Sequence, residues 1–134
     1  AGVTHAGEWA ADEDCAGMVT RKREEGEIVT AVRFPSPEAA NDQKLGQPAS
    51  RFALTGVVVA KDADGVRVAV TGAAEDGVFR WTEAEEALSG SFSADAISGL
   101  TLSGDGMISD LHGSGEYRAH LAKVLTGRAV TAAG

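Results

Sequence analysis

An α+β fold is predicted: an antiparallel sheet of three or four strands with about three helices packed on one face. Three observations predict it. Residues 51–71 read as a β-hairpin, because the apolar run Val57–Ala60 and the alternating run Val66, Val68, Val70 flank a turn at Asp62-Ala63-Asp64-Gly65. Residues 114–129 read as an amphipathic helix. Strand signals lie before residue 82 and helical signals after it, the order expected when helices cover one side of an antiparallel sheet.

Taken in order, residues 1–24 are expected to be a partly ordered N-terminal extension, and residues 25–134 the domain proper. Glu25-Gly26 is a turn signal. Ile28, Thr30, Val32 and Phe34 then alternate with Val29, Ala31 and Arg33, which predicts a strand over Glu27–Phe34. Pro35 ends it, since proline has no N–H to give a ladder. Residues 36–48 hold two prolines and few large apolar groups, so a loop is expected there, open to a helical turn at Pro37–Asn41. After the hairpin comes a short strand at Gly77–Trp81.

Thr82-Glu83-Ala84-Glu85 has capping-box spacing and predicts the start of a helix that Gly90 would close. A second short helix is expected from Ser93 to Gly99, and residues 100–110 are expected to be irregular. The last helix is placed at Gly115–Ala129 with Ser114 as N-cap. Tyr117, Leu121, Val124, Leu125 and Arg128 follow its helical spacing.

The 134 residues fit one domain. With 43% hydrophobic residues but only 5% aromatic, the core must rest on Val, Leu and Ala. A net charge of -8 argues against a general binder of nucleic acid or anionic membrane, which needs a clustered basic surface. The one basic cluster, Arg21-Lys22-Arg23, is followed at once by Glu24, Glu25 and Glu27. The single cysteine, Cys15, excludes an internal disulfide and a multi-thiolate zinc site. No apolar run reaches the roughly 20 residues of a membrane span, and no charged segment followed by an apolar one opens the sequence, so a cytoplasmic location is expected.

No self-contained active site is legible. His5, His112 and His120 lack metal-ligand spacing and read as surface or capping residues. Asp62–Gly65 faintly resembles a calcium loop, but its glycine comes early and the distal bidentate Glu is missing. Gly113-Ser114-Gly115 resembles the start of a dinucleotide fingerprint, with Arg118 where the third glycine should stand and no strand directly before it. Glu83, Glu85 and Glu86 read as a solvated helix face. No serine sits in a nucleophile elbow.

Three separated blocks nevertheless resemble one family. EIVTAVRFP over 27–35, KLGQPASRFALTGVVVA over 44–60 and DLHGSGEYRAHLAKVLTGRAV over 110–130 are similar to the C-terminal domain of the FAD-binding medium subunit of the carbon monoxide dehydrogenase/xanthine dehydrogenase (molybdenum hydroxylase) family. AEEALSG over 84–90 matches the helix between them. The third block carries an Asp-x-x-x-Ser-x-x-Tyr-Arg signature at Asp110, Ser114, Tyr117 and Arg118.

The resemblance implies a CO dehydrogenase flavoprotein C-terminal domain-like fold. It also implies a subunit that carries FAD, takes electrons from a molybdenum-cofactor large subunit through the [2Fe-2S] small subunit, and passes them to an acceptor. Lys44 aligns with a lysine at the flavin-facing edge, and its other reading is an exposed loop lysine. The family's glycine-rich FAD segments are not in these 134 residues, so this chain is not expected to bind FAD tightly or to be catalytic alone. The alternative is a stand-alone, non-enzymatic assembly or interaction module with the same fold.

Overall fold

A computed structural model describes residues 14, 20–48 and 52–134. The readings that fall on His5 and Cys15 lie outside these residues. Four strands, β1 Ala39–Gly46, β2 Ala53–Asp62, β3 Gly65–Ala74 and β4 Gly77–Arg80, form one antiparallel sheet in chain order. Helix α1 Thr82–Gly90, a 3-10 turn at Ala94–Ile97 and helix α2 Gly115–Ala133 follow. The expected α+β architecture is observed.

The hairpin is the centre of the sheet. Val57, Val59, Val66, Val68 and Val70 alternate onto one face and are buried there. Ala63 and Asp64 make the two-residue turn, with Gly65 at φ +132 and the Asp62 Oδ1 accepting the Asp64 N–H at 2.8 Å. Against the valine face pack Trp81, Ala84 and Leu88 from the α1 region, Ile97, and the inner side of α2.

The buried stripe of α2 differs from the expected one. Arg118, Ala119, Ala122, Leu125, Thr126, Ala129 and Val130 face inward, whereas Tyr117 is 44% exposed. Three alanines let the helix axis come close to β1 and β2, so small residues rather than the largest ones mark the contact. The Thr126 hydroxyl is satisfied by the Ala122 carbonyl at 2.7 Å.

Two expected elements exchange places. Residues 27–37 form no ladder, and Ile28, Val29, Val32 and Phe34 are exposed. Residues 39–46, expected as a loop with a helical turn, are instead strand β1, paired with β2 from Ala39↔Lys61 to Gly46↔Ala53. The edge of β2 needs a neighbour, and the stretch that can reach it forms the strand despite its low β propensity. The turn at Glu25-Gly26 is present, with Gly26 at φ +86 and Glu24 and Glu27 bonded across it.

The capping box at Thr82 does not form either. Trp81 is the N-cap, without a side-chain cap, and Thr82 Oγ1 bonds Glu83. Gly90 is the last residue of α1, and Ser91 closes the helix in extended conformation. Ser114 does cap α2, its hydroxyl accepting the Tyr117 N–H at 3.2 Å.

Candidate functional site

Alternation along each strand divides the sheet into a helix-covered face and an open one. The open face carries Ala40, Asp42 and Lys44 from β1, Gly56, Val58 and Ala60 from β2, Arg67, Ala69 and Thr71 from β3, and Val78 and Arg80 from β4. Its centre is shallow because Gly and Ala supply little bulk. Val58 and Val78 are exposed on it.

Lys44 lies on this face, not in a loop. It is opposite Gly56, which is opposite Thr71, so the three form one row across the sheet. A methyl group added at Gly56 would meet the Thr71 Cγ2 at 3.0 Å and the Lys44 Cβ at 3.7 Å. The glycine thus lets the flanking side chains close over the strand. Lys44 is exposed, with no bond or ion pair to the described residues.

Within the signature, Asp110 and Arg118 are brought together as a latch, while Ser114 caps the helix by accepting the Tyr117 N–H. Arg118 is 4% exposed. Its Nη1 donates to the carbonyls of Leu54 (2.7 Å) and Gly72 (2.8 Å), and its Nη2 donates to Asp110 Oδ1 and Oδ2 (2.9 and 2.8 Å). One guanidinium therefore ties α2 to β2, to β3 and to the preceding turn, using the fork geometry that lysine lacks. Asp110 also accepts the His112 N–H at 2.9 Å; that bond first, and Arg118 next, hold its carboxyl below the ordinary range.

The Gly113-Ser114-Gly115 stretch serves packing. A methyl group at Gly115 would lie 2.7 Å from the Gly104 carbonyl oxygen, and one at Gly113 would lie 2.9 Å from the Tyr117 ring. The first N–H groups of α2 are already taken. Ser109 Oγ accepts from Gly115 at 2.8 Å, and Ser114 Oγ accepts from Tyr117. The Glu116 carboxyl is held low first by its own backbone N–H and then by the Ser114 hydroxyl. This helix start therefore does not fit a pyrophosphate, which needs convergent free N–H groups. The dinucleotide reading is set aside on that ground.

A second latch, which the sequence did not disclose, closes the other end of β3. β4 is only four residues long and leaves the N–H groups of Val66 and Val68 without a strand partner on that side, although the Val68 carbonyl accepts the Trp81 N–H at 3.0 Å. Ser89 Oγ accepts the Val66 N–H at 3.0 Å, and Glu85 Oε1 accepts the Val68 N–H at 2.9 Å. Four residues of helix and two of strand each span roughly 6–7 Å, so α1 running antiparallel to β3 matches its free donors. Glu85 also receives Arg80 Nε at 2.9 Å. Burial pushes its carboxyl up, but the bonds from Arg80 and Val68 outweigh this and leave it below the ordinary value. Glu85 is therefore not on a solvated face, unlike Glu83 and Glu86. The Glu85–Ser89 spacing at i, i+4 was its only sequence signal.

Two open clefts are formed by described residues. One, about 400 Å³, lies between the hairpin turn and the end of α1 beside Glu38, Asp62, Ser89 and Phe92. The other, about 470 Å³, lies between residues 100–104 and the Glu116, His120 and Lys123 side of α2. Lys123 is committed to the carbonyls of Ser98 and Leu100. Among the described residues no three His, Cys, Asp or Glu side chains gather to hold a metal, and no helix is long and apolar enough to cross a membrane.

No family model and no curated protein matches the chain. A chain from the crystal structure of quinoline 2-oxidoreductase from Pseudomonas putida 86 is similar in structure, with a TM-score of 0.69 and 22% identity over 90% of this chain. The match covers 46% of that chain, so this sequence spans less than half its length. The likeness is one of fold, at the level of a domain.

Proposed function

We propose that the chain works as the C-terminal-type domain of the FAD-carrying subunit of a molybdenum hydroxylase-type oxidoreductase. The observation that carries this reading is the likeness to a quinoline 2-oxidoreductase chain over 90% of the sequence. It meets, by a separate route, the family resemblance of the blocks at 27–35, 44–60 and 110–130. In this reading the open sheet face flanks the flavin site, with Lys44 an exposed cation beside the ring system. The partners are the molybdenum-cofactor large subunit and the [2Fe-2S] small subunit, and the work is electron transfer in the cytoplasm. FAD itself would be held by other parts of such a subunit, since the helix start that could receive a pyrophosphate here is already satisfied.

Purification of the protein from its native source under non-denaturing conditions tests this. Visible absorption near the flavin band, together with molybdenum and iron in the same fraction, is the expected result. A fraction with no flavin and neither metal overturns the reading. The second reading, an assembly module with no redox role, is favoured by the exposed Val58 and Val78 on the open face. The same purification separates the two, because an assembly module would bring partners without flavin.

A further inference from the structure

The row Lys44–Gly56–Thr71 includes the last rung that β2 and β3 share. Their ladder runs from Asp62↔Gly65 to Gly56↔Thr71 and stops there. Beyond it β3 takes a different neighbour. The Ala73 carbonyl accepts the Ile108 N–H at 2.8 Å, the Glu75 N–H donates to the Gly106 carbonyl at 2.9 Å, and Ala74 bridges to Met107. Gly72, at φ +75, is the residue on which the strand changes partners. A last rung is where a ladder frays, because no further pair holds it in register.

The two strands nevertheless stay close past that point. A methyl group at Gly72 would lie 2.9 Å from the Ala53 carbonyl oxygen and 3.0 Å from that of Leu54. Strands this near without a ladder bring acceptors together. The Leu54 and Gly72 carbonyls meet on the helix-covered side, where Arg118 Nη1 lies 2.7 and 2.8 Å from them. Nη1 carries two N–H groups, one for each oxygen. Nη2 gives its own two to the Asp110 carboxylate, which fixes the plane and the aim of the fork.

We infer that Arg118 is a positioning residue for the open face. Its guanidinium is the rung that the ladder lacks, and it holds the Lys44–Gly56–Thr71 row from the opposite side of the sheet.

The row needs such a hold. Gly56 has no side chain to brace Lys44 against Thr71, and those two close over it. β1 stays paired with β2 beyond the row, through Gly46↔Ala53, so Lys44 moves with β2. Thr71 moves with β3. Any slip of β3 on β2 therefore carries Thr71 away from Lys44 and opens the row. The bonds of Nη1 to both strands oppose that slip, and Asp110 supports them by orienting the guanidinium. The hold on the row stands on these contacts alone. That the row serves a flavin rests on the flavoprotein reading.

Nuclear magnetic resonance on the folded chain tests the hold. The Thr71 methyl should give a strong nuclear Overhauser cross-peak to the Gly56 α-protons. Arg118→Met should lose it, and Arg118→Lys should weaken it. Glu85→Ala, which loosens the other end of β3, should keep it at full strength. If Arg118→Met does not fold, Arg118→Lys carries the comparison. A cross-peak unchanged in the folded Arg118 variants, or lost equally in Glu85→Ala, overturns the inference. In the flavin-containing subunit, Lys44→Met and Arg118→Lys should both lower the flavin midpoint potential, since each deprives the reduced ring of a well-placed cation, and Glu85→Ala should leave it unchanged. A potential that answers to Lys44→Met but not to Arg118→Lys overturns the inference. A potential that answers to neither, or a subunit without flavin, fails the flavoprotein reading instead, and the cross-peak then decides the hold by itself.

Discussion

The two ends of β3 are held by opposite devices. At Gly72, a cation from α2 gathers acceptors: two carbonyls and the Asp110 carboxylate converge on Arg118. At Val66 and Val68, oxygens from α1 gather donors that the short β4 leaves free. The Arg118 latch is buried on the arginine side and joins α2, both central strands and the turn before α2. The Glu85 latch is local: it joins α1 to one strand edge, and its partner Arg80 is 44% exposed. Losing Arg118 orphans acceptors on three elements, whereas losing Glu85 orphans one donor, since Arg80 can turn to water. The tertiary reach of a polar group, more than its charge, sets what it is worth.

That contrast gives an order of effects. Arg118→Met should cost about 3 kcal/mol in urea unfolding at neutral pH, and Arg118→Lys should recover only part, because a compact ammonium lacks the planar spread that reaches both carbonyls and the carboxylate at once. Glu85→Ala should cost about 2 kcal/mol, the penalty of a buried N–H left without a partner. Equal losses for the two variants would break the comparison. Ser89→Ala, which frees only the Val66 N–H, should cost about 1 kcal/mol and lower the melting temperature by a few degrees.

Thr55→Val should act in the opposite direction. The Thr55 hydroxyl is fully buried and has no partner among the described residues, so replacing it with a methyl group should raise stability by up to about 1 kcal/mol. A loss in the same unfolding measurement would mean that a buried water holds the hydroxyl.

Acid should sharpen the picture with the smallest signal. Both Asp110 and Glu85 have folded-state pKa values lowered from ordinary ones of 3.8 and 4.5. In that window the unfolded chain binds more protons, so stability rises with pH. The contribution is complete above the ordinary values and is lost as pH falls through the lowered ones. Stability measured against pH should therefore begin to fall as pH drops below 4.5 and fall further below 3.8. The fall should be shallower in Glu85→Gln.

The hairpin was legible because its signal is local: a turn that Gly65 permits and valines that alternate on both sides of it. So was Ser114, since an N-cap acts on a residue three positions away. The segments 27–34 and 39–46 were read the wrong way round, for one reason. Propensity describes what a stretch prefers, but a ladder needs an edge, and only the second stretch lies where β2 can accept it. Glu85 was read first as a capping-box partner and then as part of a solvated face. Its true partners, Val68 and Arg80, are set by how α1 lies against β3. Lys44 was visible as an aligned lysine, but its place on the open sheet face follows from β1 being a strand.

The sequence by itself determined the α+β class, the central hairpin and the closing helix, because turn chemistry and side-chain period act within a few residues. The family resemblance marked Asp110, Ser114, Tyr117 and Arg118 as a unit. Only the tertiary structure decided what that unit does. Leu54 and Gly72 lie 64 and 46 residues from Arg118, and no local rule relates a guanidinium to carbonyls that distant until the sheet has brought them to 2.7 and 2.8 Å.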